Sequence, residues 1–177
     1  MPIVRGKQIE VLFSAEEISK RNHAIVEDLS KSDLDNPLVI AILKGSFVFA
    51  ADLVRAMHEQ GMEPEMEFIS ISSYGSGTVA GKPKVLRDIE SNVTDRNVIL
   101  IDDILESGGT LKFCRDLMIT RGARKVSTVV LLDKSMRRKA NINADHMGFE
   151  CPDKFVVGYG MDMGHAYREL PFVGEVV

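Results

Sequence analysis

The chain has 177 residues, of which 45% are hydrophobic, and this is enough apolar material for one domain with a sizeable core. Its formal net charge of −4 argues against broad nucleic-acid binding, which needs a basic surface. The first residues lack the apolar segment of a signal peptide, and no stretch reaches the roughly 20 apolar residues of a membrane-spanning helix. We therefore expect one cytoplasmic domain that binds neither nucleic acid nor membrane, with Cys114 and Cys151 reduced.

The first half of the chain predicts helices and strands in alternation. Ser14 to Glu17 forms a capping box, which predicts the start of an amphipathic helix. Leu38 to Leu43 is an uninterrupted apolar run, typical of a strand buried on both faces. After a turn at Lys44 to Ser46, the pattern predicts a helix from Phe47 to Gln60. Met66 to Ser73 alternates between apolar and polar residues, as a strand does.

The second half continues this pattern after a Gly-, Ser- and Thr-rich stretch at Tyr74 to Lys84, which predicts a mobile flap. The sequence then predicts four strands and one helix: strands at Val85–Ile89, Asn97–Ile101, Val126–Leu132 and Phe155–Tyr159, and a helix marked by Leu111, Cys114, Leu117 and Met118. Strands that alternate with helices favour right-handed crossovers and parallel pairing. We therefore predict an α/β fold with a mainly parallel sheet flanked by helices.

The most informative segment follows the predicted strand at Asn97–Ile101. The strand ends in two carboxylates, Asp102 and Asp103, and a loop with a third carboxylate, two hydroxyls and two glycines comes next: Glu106, Ser107, Gly108, Gly109 and Thr110. Ligands of open α/β sheets bind at the carboxyl ends of strands. Glycines let the backbone approach an anion, and Thr110 is a reasonable cap for the following helix.

This loop is therefore predicted to hold a phosphate group, beside carboxylates suited to sugar hydroxyls or hydrated Mg2+. Alone, the two aspartates would more simply cap a turn, and the loop is what favours a ligand site. The sequence has no Walker-type phosphate loop, and Gly75 to Gly81 departs from a dinucleotide fingerprint in its last spacing.

The acidic pair and the following loop resemble the diphosphate-sugar loop of the type I phosphoribosyltransferases. Further segments resemble the hypoxanthine–guanine (6-oxopurine) branch of that family, in order from about Leu38 to the end: Leu43–Ser46, Ser73–Tyr74, Lys134, Asp153–Asp162 and Tyr167–Pro171. The resemblance implies the type I phosphoribosyltransferase fold over residues 1–177. It implies a core at about 14–133, a flap at about 74–84 and a small hood built from the N-terminus and the C-terminal tail. It also implies a homodimer or homotetramer.

The resemblance also implies a role for each matching position. The sugar and its diphosphate would be bound by Lys44, Gly45, Asp102, Asp103, Ser107, Gly108, Gly109, Thr110 and Arg168. The purine base would be bound by Ile104, Lys134, Phe155 and Val156, while Ser73 and Tyr74 close over the site with the flap. Mg2+ would be bound by Asp102, Asp103 and Asp162, and Glu106 would be the catalytic acid or base at purine N7. In the family, a non-proline cis peptide shapes the loop at Lys44–Gly45.

The implied activity is Mg2+-dependent transfer of 5-phosphoribosyl from phosphoribosyl diphosphate to hypoxanthine or guanine, which gives IMP or GMP and diphosphate in purine salvage. Two positions depart from the family: Glu106 stands where the family usually has Asp, and Met163–His165 replaces a segment that usually carries an aromatic and polar residues. Two alternatives stay open, namely a xanthine-preferring phosphoribosyltransferase and a non-catalytic nucleotide- or RNA-binding regulator of the same fold.

Several of these residues also have an ordinary structural explanation when each is taken singly. Lys134 fits a solvated lysine, Phe155 fits a strand core residue, Arg168 fits a surface charge and Asp162 fits a turn acid. Arg137-Arg138-Lys139 predicts a solvated basic patch. The joint arrangement, and no single residue, therefore supports the predicted site.

Overall fold

The structure is a computed structural model that describes residues 1–72 and 82–177. In these ranges the strands are β1 (Ile3–Val4), β2 (Lys7–Phe13), β3 (Leu38–Leu43), β4 (Glu65–Ser72), β5 (Lys84–Arg87), β6 (Asn97–Leu105), β7 (Lys125–Asp133), β8 (His146–Glu150), β9 (Val156–Val157) and β10 (Val173–Val176). The helices are α1 (Ala15–Ser30), α2 (Phe47–Glu59) and α3 (Gly109–Thr120), with a 3-10 turn at Ser135–Arg137.

A six-stranded sheet forms the centre of the fold, in the order β5-β4-β3-β6-β7-β8. Its neighbouring strands pair in parallel except β4 and β5, which pair antiparallel. Helices cover both of its faces. The predicted α/β fold class with a mainly parallel sheet is therefore confirmed.

The uninterrupted apolar runs reflect burial of this sheet on both faces. Val39 and Ala41 of β3 pack in the cluster that contains α1 and α2, whereas Leu38 and Ile40 pack in the cluster that contains α3. Successive side chains of a strand point to opposite faces, so a strand between two helical layers needs apolar residues at every position.

The capping box at the start of α1 is confirmed. The backbone N–H of Glu17 donates to Ser14 Oγ over 3.2 Å, and the N–H of Ser14 donates to Glu17 Oε2 over 2.8 Å. The predicted apolar stripe of α1 is buried: Ile18, Ile25, Val26 and Leu29. The local sequence therefore determines both where this helix begins and which face it buries.

Three predicted features around the loop and the tail are wrong. Strand β6 continues through the acidic pair to Leu105, because β7 pairs with it as far as Leu105 whereas β3 stops pairing at Ile101. Gly108, and not Thr110, is the N-cap of α3. The predicted strand at Phe155–Tyr159 shrinks to β9, and no strand was predicted where β10 follows it.

The two ends of the described chain meet in a second sheet, in the order β1-β2-β10-β9, with antiparallel pairing. Strands β1, β2, β8 and β10 were not predicted from the sequence: β1, β8 and β10 are only 2, 5 and 4 residues long, and in β2 only Ile9 is buried. The proposed division into core, flap and hood stays a prediction.

Two composition-based expectations can be compared with the described ranges. None of the helices in residues 1–72 and 82–177 is both long and apolar enough to cross a membrane. Cys114 and Cys151 are free and buried, and burial raises the pKa of the Cys114 thiol to about 12. A thiol with so high a pKa is a poor nucleophile.

Candidate active site

Most of the predicted site residues meet at the carboxyl edge of the six-stranded sheet, around two adjoining cavities of about 560 Å3 and about 270 Å3. Both cavities are lined by Lys44, Gly45, Asp103, Ile104 and Glu106. The larger is also lined by Lys134, Phe155, Val156, Asp162 and Arg168, and the smaller by Asp102, Ser107, Gly108 and Thr110.

Gly109 is the first residue of α3, directly beside the smaller cavity, although it does not line it. Ser73 and Tyr74, together with most of the predicted flap, lie outside the described residues.

A further cavity of about 930 Å3 lies between α1, α2 and residues 168–171, and of its lining residues only Arg168 also lines one of the two site cavities.

The acidic pair lies on β6 beside both cavities, and the pKa values of both carboxyls are raised. For Asp102 the main cause is burial, and the negative charge of Asp103 adds to it. Burial is also the main cause for Asp103, against which hydrogen bonding to Asp102 and the charge of Arg168 act. Two adjacent carboxyls with raised pKa values gain most from a cation or from hydroxyl donors.

The turn after β6 is shaped by a glycine in a left-handed conformation. Gly108 has φ +85° and caps α3, and a Cβ at this position would lie 2.7 Å from Ile142 Cγ2. Residues with a side chain rarely adopt this φ, and here they would also collide with a neighbour. Because α3 begins immediately afterwards, its first backbone N–H groups and its positive dipole end lie beside the smaller cavity.

A second loop approaches the acidic pair from the end of β3. The peptide bond between Leu43 and Lys44 is cis, next to the predicted loop at Lys44–Gly45. A Cβ on Gly45 would lie 1.9 Å from Asp103 Oδ2, so only glycine lets this backbone pass so near the carboxylate. On its other side, a Cβ on Gly160 would lie 2.2 Å from the Gly45 carbonyl oxygen. The loop is thus held between β6 and the C-terminal segment.

Lys134 and Glu106 form an ion pair in the larger cavity. Lys134 Nζ lies 2.7 Å from Glu106 Oε1, and the lysine side chain is 4% exposed whereas that of Glu106 is 40% exposed. The solvated-lysine interpretation of Lys134 is therefore wrong. An ammonium group has three N–H donors, so Lys134 can keep Glu106 and still donate to a ligand.

Phe155 does not belong to the core. It precedes β9, its side chain is 60% exposed, and it lines the larger cavity together with Ile104 and Val156. The core-residue interpretation of Phe155 is therefore wrong. An exposed aromatic ring beside an aliphatic residue forms a surface suited to a flat, partly apolar ligand.

Asp162 and Arg168 bind each other at the edge of the larger cavity. Arg168 Nη2 lies 2.9 Å from Asp162 Oδ1, and Arg168 Nη1 donates to the Gly160 carbonyl over 2.6 Å. Asp162 Oδ2 accepts from the backbone N–H of His165 over 2.7 Å. Arg168 is held in place with a side chain that is 20% exposed, which is not the behaviour of a free surface charge.

Sequence reasoning missed part of this site. Ser70, Ser72 and Leu86 line the larger cavity, and no motif singled them out; Met161 also lines it and received no role, although it lies in the segment Asp153–Asp162. Arg138, assigned to a solvated patch, is instead largely buried: its Nε donates to the Glu106 carbonyl over 3.0 Å and its side chain is 13% exposed. Neighbouring arginines in the sequence gave no signal that one of them lies inward.

The carboxylates of the site are candidate ligands of a divalent cation. Within residues 1–72 and 82–177, no three Asp, Glu, His or Cys side chains come close enough to hold a metal ion by themselves. The carboxyl pair nevertheless fits Mg2+, which takes oxygen ligands, keeps several water molecules and is commonly held by one or two carboxylates plus substrate phosphates.

Comparison with known proteins gives matches over nearly the whole chain. The profile described as "Phosphoribosyl transferase domain" matches residues 10–163. The hypoxanthine-guanine phosphoribosyltransferase of Bacillus subtilis is 42% identical over 167 residues, which cover 93% of this chain and 91% of that protein.

Solved structures agree with the sequence matches. A hypoxanthine-guanine phosphoribosyltransferase from Bacillus anthracis, with a HEPES molecule in the active site, superposes with a TM-score of 0.89 at 41% identity, over 96% of this chain and 100% of that one. The hypoxanthine phosphoribosyltransferase of Trypanosoma cruzi, in complex with the product IMP, superposes with a TM-score of 0.91 at 32% identity, over 100% of this chain and 98% of that one.

Proposed function

We infer the function from one premise: the chain belongs to the phosphoribosyl transferase domain family, whose profile matches residues 10–163. It is a hypoxanthine–guanine phosphoribosyltransferase, an enzyme of purine salvage. It transfers the 5-phosphoribosyl group of phosphoribosyl diphosphate to hypoxanthine or guanine, so that IMP or GMP and diphosphate are formed. We propose a role in this reaction for each of the following residues.

The ion pair between Lys134 and Glu106, beside Phe155, is the main support for our proposal that the purine base binds in the larger cavity. O6 and N7 lie side by side on one edge of a 6-oxopurine, and both accept hydrogen bonds. A lysine donor next to a carboxyl matches this edge: Lys134 donates to O6, and Glu106 exchanges the proton at N7. Phe155 and Ile104 enclose the ring, and the backbone of Val156 lies at its edge.

The adjoining smaller cavity suits the 5′-phosphate of the sugar. Ser107, Gly108 and Thr110 line it, and the N-terminus of α3 directs backbone N–H groups and a positive dipole end there. Asp103 and Gly45 line both cavities, so a ribose that joined a phosphate in one cavity to a base in the other would pass beside them. We assign the diphosphate to Lys44, Gly45 and Arg168, all of which line the larger cavity.

The reaction is a displacement at ribose C1 by a ring nitrogen of the purine. Positive charge develops on the sugar and negative charge on the leaving diphosphate. Asp102 and Asp103 beside the ribose stabilise the cationic sugar, and Lys44 and Arg168 stabilise the leaving group. General acid–base catalysis by Glu106 is worth about 10²–10⁴ in rate.

We propose Mg2+ as the metal, with Asp102 and Asp103 near it and Asp162 as a second position. When bound, the ion would neutralise charge on the diphosphate. The raised pKa values of the acidic pair support this proposal, because two close carboxyls are better satisfied with a cation than without one. At the second position, Arg168 already holds Asp162, so metal binding there must share or displace that arginine.

The test is an assay of diphosphate release with Mg2+, phosphoribosyl diphosphate and hypoxanthine, guanine, xanthine or adenine in turn, with base-free and Mg2+-free reactions as controls. We expect release with hypoxanthine or guanine only. Fastest release with xanthine would identify a xanthine-preferring enzyme. No release with any base, together with salt-sensitive RNA binding, would identify a regulator.

Assembly and location are proposed on the resemblance alone. We propose a homodimer or homotetramer, which light scattering of the purified protein tests directly. We also propose that the enzyme works in the cytoplasm and binds neither nucleic acid nor membrane. Fractionation of cells that express it tests this location.

A further inference from the structure

The loop that carries Glu106 and Ser107 is held by residues that line neither of the two site cavities. Arg138 Nε donates to the carbonyl oxygen of Glu106 over 3.0 Å. The backbone N–H groups of Lys139 and Ala140 both donate to the carbonyl oxygen of Ser107, over 3.0 Å and 2.8 Å. Two successive carbonyl groups of the loop are therefore fixed by one short segment that follows the 3-10 turn.

Because these two carbonyl groups are held, the planar peptide bonds determine the directions of the N–H groups of Ser107 and Gly108. In a planar trans peptide the C=O and the following N–H point in opposite directions. The Glu106 carbonyl points toward Arg138, so the N–H of Ser107 points the other way. The Ser107 carbonyl points toward Lys139 and Ala140, so the N–H of Gly108 also points the other way. Ser107 and Gly108 line the smaller cavity whereas Arg138, Lys139 and Ala140 do not, which indicates that the two N–H groups point toward the cavity.

Arg138 is itself fixed by contacts at each of its guanidinium nitrogens. Nη1 donates to the carbonyl of Ile142 over 2.6 Å, and Nη2 forms an ion pair with Asp133. The side chains of Arg138 and Asp133 are 13% and 14% exposed. Its Cδ also lies 3.1 Å from the position of a Cβ on Gly108. Three partners in three directions need the planar, forked guanidinium, which a lysine does not reproduce.

We propose that Arg138 is a positioning residue that aims the backbone N–H groups of Ser107 and Gly108 at the 5′-phosphate of the substrate. This inference rests on the proposed function, since it names the group that the loop binds. Arg138 does not contact the phosphate itself. Its effect passes through the carbonyl of Glu106, so it also fixes the backbone of the proposed acid–base residue.

The test compares Arg138→Lys with the matched control Arg137→Lys, whose side chain is 53% exposed and pairs with Asp153. Calorimetric titration with inorganic phosphate and with IMP measures binding without turnover. We expect both affinities to fall about tenfold in Arg138→Lys, as for loss of a charged hydrogen bond, and to stay unchanged in Arg137→Lys. The KM for phosphoribosyl diphosphate should rise by a similar factor, while the KM for hypoxanthine changes less than about twofold.

A second variant keeps the test decisive if Arg138→Lys does not fold. Asp133→Asn retains the arginine but weakens its ion pair, and we expect the same split between the two KM values in smaller size. Unchanged phosphate affinity and unchanged KM for phosphoribosyl diphosphate in a folded variant would overturn the proposal, as would an equal rise of both KM values. If the wild-type protein bound phosphate but released no diphosphate, the proposed function would fail, while the phosphate titrations would still test Arg138.

Discussion

Lys134 Nζ lies 2.7 Å from Glu106 Oε1, although 28 residues separate the two in the sequence. The backbone supports this pair, since the N–H of Lys134 donates to the carbonyl of Leu105 over 2.9 Å. The ends of the adjacent strands β6 and β7 thus place the carboxylate of Glu106 and the ammonium group of Lys134 side by side. In the proposed function, Glu106 handles the N7 proton and Lys134 recognises the 6-oxo group.

Replacing Glu106 by Gln should lower kcat by about 10²–10⁴, because the amide cannot exchange a proton while its size is unchanged. Binding of IMP should survive, since the phosphate loop is intact. Steady-state assays and calorimetry measure the two effects. Glu106→Asp is the control: it keeps a carboxyl that is one methylene shorter and should lose far less activity than the glutamine variant. If wild type and Glu106→Gln had equal kcat values, Glu106 would not be the residue that transfers the proton.

Replacing Lys134 by Ala should weaken discrimination between hypoxanthine and adenine by about 10–100-fold, the cost of one hydrogen bond from a charged donor. The measurement is the ratio of kcat/KM values for the two bases. Lys139→Ala is the control, because this lysine is exposed and contributes to the loop through its backbone N–H only. Intact discrimination in Lys134→Ala would disprove the assignment.

Replacing Gly45 by Ala should displace the carboxylate of Asp103, since the new Cβ would lie 1.9 Å from Oδ2. We expect kcat/KM for phosphoribosyl diphosphate to fall about 100-fold, as for a displacement of about 1 Å in an active site. Adding Gly45→Ala to Asp103→Ala should cost much less, because the alanine at position 103 removes the carboxylate that collides. Equal losses in both backgrounds would show that Gly45 acts independently of Asp103.

The acidic pair predicts how stability depends on pH and on metal. Because the pKa values of these carboxyls are raised, the folded state keeps protons on them at pH values where the unfolded chain has already released them. The stability that these protonated carboxyls contribute is therefore fully present below about pH 4 and is lost as the pH rises through the pKa values of the folded state. Without metal, Asp102→Asn should therefore raise Tm at pH 7.5, by about 2–4 °C if about 1 kcal/mol is relieved.

Thermal unfolding with and without Mg2+ measures this effect. Mg2+ should stabilise the wild type more than Asp102→Asn, and the difference in Tm between them without metal should shrink toward pH 4. Asp116→Asn is the control, because this carboxylate pairs with Lys112 on the surface of α3 and its side chain is 47% exposed. A lower Tm for Asp102→Asn than for wild type at pH 7.5 would contradict the prediction.

Much of the fold and of the site can be predicted from the sequence because the signals are local. The capping box of α1 involves atoms three residues apart, and the apolar run of β3 reports burial directly. The carboxylates, hydroxyls and glycines between Asp102 and Thr110 are contiguous, so they reach the same edge of the sheet in any fold that places a strand before them and a helix after them.

The class of the fold and the glycine-containing turn after β6, to which we assign the phosphate, therefore follow from local sequence, because they depend on backbone preferences and hydrophobic periodicity over a few residues. The end of β6 depends instead on long-range pairing, since its last hydrogen bonds are to β7, and so does the choice of which of two adjacent arginines turns inward. The inward position of Arg138 depends on the carbonyl of Glu106, 32 residues earlier, and on the ion pair with Asp133. Such partners become neighbours only when parallel strands align, and no local pattern encodes that.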